Sequence, residues 1–169
     1  MIVLKRPTKE DEESIIAFVN EVQAHHETCI GASGVDRMPF IEWLDKIEQG
    51  HQGQIPNRVP FTVFLAFAEN HLVGMCNVRH HLNDSLLFDS GHIGYMVRPS
   101  ERQKGYAKQM LRLSLDYLKD THHVANVLVT CNVNNRASEK TILSQNGVYE
   151  NTVCSKEHGL TKHFWIKRD

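Results

Sequence analysis

GHIGYMVRPSERQKGYAKQMLRLSLDYL, residues 91 to 118, contains three physically different pieces. His92 to Val97 is a short strand-like run, ended by Pro99, which has no N–H to give to a sheet ladder. Arg98 to Lys104 is a charged turn that leads into Gly105. From there Ala107, Met110, Leu111, Ser114, Leu115 and Leu118 recur at helical spacing, so the stretch predicts a strand, a basic glycine turn and a helix. Such a helix start suits a phosphorylated ligand. Its first N–H groups have no internal partner, its dipole is positive there, and a glycine lets a phosphate approach the backbone. Arg102 and Lys104 add formal charge at the same place. An ordinary strand–helix connection with a basic surface would show the same coarse pattern.

The spacing is more informative. Arg102-Gln-Lys-Gly105-Tyr-Ala107, with Val97-x-Pro99 just upstream, resembles the R/Q-x-x-G-x-G/A loop of the GNAT superfamily of N-acetyltransferases. No G-K-[ST] and no G-x-G-x-x-G is present, so neither a Walker loop nor a dinucleotide fingerprint is indicated. The resemblance implies that Arg102, Gln103, Lys104, Gly105, Tyr106 and Ala107 hold the pyrophosphate of coenzyme A. It implies too that Tyr95, Met96 and Val97 line the pantetheine arm.

The remaining chain agrees with one domain over residues 1–169. The net charge of −1 gives no basic excess that would argue for nucleic acid. The four cysteines are scattered without a C-x-x-C pair, which reads as free thiols in a cytoplasmic protein. No signal-peptide pattern opens the sequence, and no apolar run approaches membrane-span length. Eleven histidines show no H-x-x-x-H or H-E-x-x-H spacing, so they read as surface residues and no metal is expected.

In chain order, Ile2–Lys5 reads as a strand. Thr8 and Asp11 form a near capping box before a helix carrying Ile15, Ile16, Phe18, Val19 and Val22. Residues 27–36 read as a loop, Met38 to Gln49 as a second helix stopped by Gly50, and Phe61–Ala68 with Leu72–Val78 as a hairpin. The segment from Asn83 reads as a polar loop. After the organising helix come a strand at Ala125–Cys131, a helix capped by Asn134 or Asn135 and ended by Gly147, and two last strands turning at His158-Gly159. The order β-α-α-β-β-β-α-β-α-β-β is that of the GNAT fold, an α/β (α+β) architecture with a mixed sheet of about seven strands flanked by helices.

A second motif of the superfamily, N-x-x-A-x-x-x-Y before Gly-Phe, is matched only in part. Asn135 and Ser138 stand at the first two positions and would also bind the cofactor, but Ile142 replaces the tyrosine and Asn146-Gly147 the Gly-Phe pair. The resemblance gives that tyrosine the role of protonating the leaving thiolate, which Ile142 cannot do.

The implied activity is transfer of an acetyl group from acetyl-coenzyme A, as cosubstrate, to a primary amine of a small molecule or peptide in a ternary complex. A non-catalytic acyl-coenzyme A sensor is the alternative, and an unrelated nucleotide-binding domain a more distant one. The Tyr95 backbone N–H is the expected oxyanion donor. The candidate general base is His92, which titrates near neutrality when unperturbed, with Glu21 second and Asp89 and Tyr95 after them. Strand alternation puts His92 on the face opposite Tyr95 unless a bulge intervenes. For the acceptor, Glu21, His25, His26, Glu27, Asp36, Trp43 and Tyr149 are the available groups, the acidic ones suited to a cationic amine. The expected assembly is a monomer or homodimer.

Overall fold

The computed structural model describes residues Met1–Asp169. Its strands are β1 (Ile2–Lys5), β2 (Phe61–Ala68), β3 (His71–Arg79), β4 (Ile93–Val97), β5 (Asn126–Asn132), β6 (Val148–Ser155) and β7 (Gly159–Lys167). Its helices are α1 (Glu12–Ala24), α2 (Phe40–His51), α3 (Asp84–Asp89), α4 (Tyr106–His122) and α5 (Arg136–Leu143). The Thr8–Asp11 capping box forms, with the Thr8 amide donating to Asp11 Oδ2 at 2.8 Å.

The strands form two antiparallel groups, β1-β2-β3-β4 and β5-β7-β6. They meet only at the start of β4, where Gly91 bridges Val129 and the His92 amide donates to the Leu128 carbonyl at 2.8 Å. Beyond that junction β4 and β5 make no ladder. The chain can pass there because Gly91 has φ of 66° and a Cβ on it would lie 2.5 Å from the Leu128 carbonyl oxygen.

Alternation along the strands sends two sets of side chains to two helical layers. Val63, Leu65, Met75 and Met96 pack with Phe18, Val22, Trp43 and Ile47 of α1 and α2. Phe64, Cys76, Val78 and Ile93 pack instead with Leu111, Leu115 and Leu118 of α4, Val127 and Val129 of β5, and Ile142 of α5. The helix that begins after Gly105 thus buries the apolar stripe its sequence spells out.

Three local expectations change. Gly50 is not a helix stop: α2 runs through it to His51, and Gly50 is buried because the Phe61 ring fills the space of its side chain. The polar segment after Asn83 is the short helix α3, capped by the Asn83 side chain, which accepts from the Leu86 amide at 2.9 Å. The histidines are not uniformly superficial. His92 and His163 are buried, and His51, His80 and His122 gather around Thr62 and Tyr117, with the His80 and His122 rings stacked at 3.8 Å.

Candidate active site

Where β4 and β5 part, a cavity of about 420 Å³ opens. Its walls are Ile93, Gly94 and Tyr95 of β4, Thr130 to Asn132 of β5, Asn135 and Ser138 at the start of α5, and Thr28 to Gly31 from the α1–α2 loop. Arg37, Arg79, Asp89 and His158 stand around the same space. A larger hollow of about 620 Å³ lies beside α2, lined by residues such as Arg6, Ile41 and Glu48, and touches none of the predicted site residues.

After β4, the strand that walls this cleft, the chain turns into α4. Gly105 caps the helix with φ of 79°, Gln103 has φ of 62°, and no side chain caps the helix start. The backbone amides from Gln103 to Lys108 find no acceptor in the protein. A Cβ on Gly105 would meet nothing within 4 Å, so this face of the turn is open to a ligand. The residues present therefore fit an anionic group such as a pyrophosphate.

The basic side chains of the turn are already engaged. Arg102 grips Glu27 through both terminal nitrogens, at 2.9 and 2.5 Å, and its Nε donates to the Val97 carbonyl at 3.3 Å. Lys104 pairs with Glu101 at 2.8 Å. Arg102 thus straps the loop to the end of α1, while the amides carry most of the donor capacity facing outward.

The two leading base candidates sit in unfavourable places. His92 is 4% exposed, and its Nδ1 accepts from the Leu128 amide at 2.9 Å. Burial first, then Arg79 and His81, pulls the ring down to about 4, and the neutral ring is the form that can accept from the Leu128 amide. No bulge interrupts the β3–β4 register, so His92 stays on the face opposite Tyr95 and splices β4 to β5. Glu21 is held by Arg98 at 2.5 Å and by the Ser100 amide at 2.7 Å. Burial pushes its carboxyl upward, but those bonds prevail and leave it at about 2.

Tyr95 crosses to the other side of the cleft, where its hydroxyl meets Ser138 Oγ at 2.9 Å. Burial pushes the phenol up to about 12, so it remains a proton donor. Asn135 caps α5 by accepting from the Ser138 amide at 3.1 Å. Met96 turns its side chain into the core, so only its backbone is available along the cleft. Val97 and Tyr106 pack at the edge of the sheet near α4. The half-buried Asp89, at the end of α3, has Oδ1 enclosed without a hydrogen-bond partner. Asp89, Glu157 and His158 each place one oxygen or nitrogen within 4.8 Å of the others.

The acceptor residues named from sequence are mostly occupied. Glu21 and Glu27 belong to arginines, Asp36 Oδ2 accepts from the Cys29 amide at 2.9 Å, and Trp43 is fully buried with Nε1 donating to Ala32. His25, His26 and Tyr149 are exposed and do not line the cleft. Arg79 was missed. Its signal was positional, since Asn77 and Arg79 continue the inward face of Met75 where apolar residues belong.

With this geometry, comparison with known proteins is decisive on family. Residues 2–147 match the family model described as the acetyltransferase (GNAT) domain. The chain belongs to the GNAT acetyltransferase family. No curated protein matched it by sequence. Among solved structures it superposes on Mycobacterium smegmatis RimJ in complex with CoA-disulfide, with TM-score 0.75, 16% identity, and coverage of 98% of this chain and 81% of that one. A Salmonella typhimurium acetyltransferase that modifies the N-terminal serine of ribosomal protein L7/L12 gives TM-score 0.71 at 13% identity, covering 99% and 95%. A chimera of the Vibrio cholerae spermidine N-acetyltransferase SpeG with hSSAT gives 0.66 at 15%, covering 98% and 94%. In this GNAT member, as in the sequence expectation, helices flank the central strands on both sides. No helix is long and apolar enough to cross a membrane.

Proposed function

We propose that the chain is an N-acetyltransferase that moves an acetyl group from acetyl-coenzyme A to a primary amine by direct attack in a ternary complex. The observation that carries this reading is the run of amides from Gln103 to Lys108, without acceptors, in the turn that follows β4, the strand that walls the cleft. Acetyl-coenzyme A supplies the acetyl group as a thioester. The rest is the work of the chain's own residues.

The amides of the Gly105 turn bind the pyrophosphate, and the helix dipole of α4 reinforces them. The backbone of Tyr95, Met96 and Val97 lines the pantetheine arm as an added strand would. The Tyr95 N–H is the donor for the carbonyl oxygen, the role in which a fixed dipole contributes most. Asp89 takes the amine's proton: its carboxyl group lines the cleft, its enclosed Oδ1 has no partner to hold it, and His158 stands beside it. The Tyr95–Ser138 hydroxyl pair stands one helical turn from Ile142 and returns a proton to the departing thiolate. His92 and Glu21 keep structural roles in this reading.

The test is release of free thiol from acetyl-coenzyme A in the presence of an amine panel. Asp89→Asn should lower kcat/KM by about 10²–10⁴-fold. Coenzyme A binding should persist in that variant. Thiol release that no amine accelerates, with coenzyme A still bound, would identify an acyl-coenzyme A sensor instead.

A further inference from the structure

The acceptor side of the cleft holds cations that form no ion pair within the protein. Arg79 ends β3 on the inward face, and its Nη1 donates to the Gly91 carbonyl at 3.1 Å. Its remaining donors meet no protein acceptor. Arg37, from the α1–α2 loop, lines the same cleft and makes no side-chain hydrogen bond. Behind them, Arg58 lies over the Phe61 ring, and Lys46 donates to the Ser33 carbonyl. None of the four is in an ion pair, whereas Arg98, Arg102 and Arg168 each hold a carboxylate.

Their fields overlap. Burial and then Arg58 draw Arg79 down to about 10, which leaves it charged at neutral pH. Burial, Arg58 and Arg37 lower Lys46. The carboxylates nearby are Asp89 and Asp36; Asp36 Oδ2 accepts from the Cys29 amide, its Oδ1 is enclosed without a partner, and neither carboxylate pairs with these cations. A half-buried arginine without a counter-ion is costly in a chain whose net charge is −1. The acidic groups that would greet a polycation, Glu21 and Glu27, face the chain's own arginines.

We propose that the acceptor is a small amine that also carries an anionic group, a carboxylate or a phosphate, which Arg79 and Arg37 bind while Asp89 receives the ammonium. This deepens the acetyltransferase reading and rests on it for turnover. A planar guanidinium with free donors pairs with either anion in two-pronged fashion. The cleft, at about 420 Å³, is the size of a small-molecule site.

Matched acceptors test this. L-Methionine is compared with L-methioninamide, phosphoethanolamine with ethanolamine, and spermidine serves as the polycation. The carboxamide's amine is the more weakly basic, so a preference for the acid cannot arise from its deprotonated fraction. The anionic member of one pair should show kcat/KM higher by roughly tenfold or more. Which pair responds tells carboxylate from phosphate. Arg79→Gln should erase that preference mainly through KM, and Arg37→Ala, at an exposed position, should reduce it. Equal use of both members in each pair, a preference for spermidine, or an unchanged preference in both variants would overturn the proposal. Calorimetry of the same anionic amines with coenzyme A present reads the anion site without turnover. Binding that Arg79→Gln abolishes, with no thiol released from any amine, would refute the transferase and keep the anion site; no binding and no preference would refute the anion site.

Discussion

Gly105 carries the clearest single-residue consequence. Its φ of 79° and the open space around an added Cβ mean that substitution costs backbone strain but meets no clash within the protein. The strain is about 1–2 kcal/mol for an L-residue in this region. Gly105→Val should therefore fold, with a lowered melting temperature, and lose coenzyme A binding because the side chain stands where the phosphate approaches. Calorimetry on the folded variant decides it, and unchanged affinity would contradict the amide cradle. Charges are harder to read at this scale. Arg102, Glu21 and Glu27 are legible as polar groups, but sequence cannot tell a free charge from one spent on a neighbour 75 to 77 residues away. Arg79 shows the reverse case, a charge whose isolation only the fold reveals.

At the level of elements, the central strands were legible as short continuous apolar runs around a tight turn, and α4 by its apolar period of 3.6. Boundaries that depend on tertiary packing were not. Gly50 looks like a terminator by composition, yet it lets α2 lie against the Phe61 ring, whose Cζ would be 2.2 Å from an added Cβ. Gly50→Ala gains about 1 kcal/mol of helix propensity but overpacks the core, at a cost of about 1–3 kcal/mol. Net destabilisation is expected in chemical denaturation, and a stabilised variant would mean that α2 can shift outward freely. The short helix α3 was equally hidden, since none of its six residues is fully buried and only the Asn83 cap announces it.

For the whole molecule, the histidines couple stability to pH. Burial, then His122, His51 and His81, draws His80 down to about 4; His92 is also at about 4, and burial lowers His51 and His122 too. Between pH 6.5 and about 4 the unfolded chain binds these protons and the folded one does not, so stability falls as pH drops through that window. Below about 4.5 the carboxyl of Glu21, at about 2 when folded, adds a second loss that continues toward pH 2. Thermal midpoints measured across pH 7 to 4 should decline, and His92→Asn, which keeps an acceptor for the Leu128 amide, should flatten part of the slope. A midpoint constant over that range would contradict it. The junction of the two sheets has a mechanical meaning as well. Gly91, His92 and Leu128 act as a fulcrum, and β4 and β5 are lever arms whose free ends are steadied by whatever lies between them. Coenzyme A should then work as a shim: amide deuterium uptake along Gly94–Val97 and Thr130–Asn132 should slow on its addition, while the Leu128 amide at the pivot exchanges slowly with or without it.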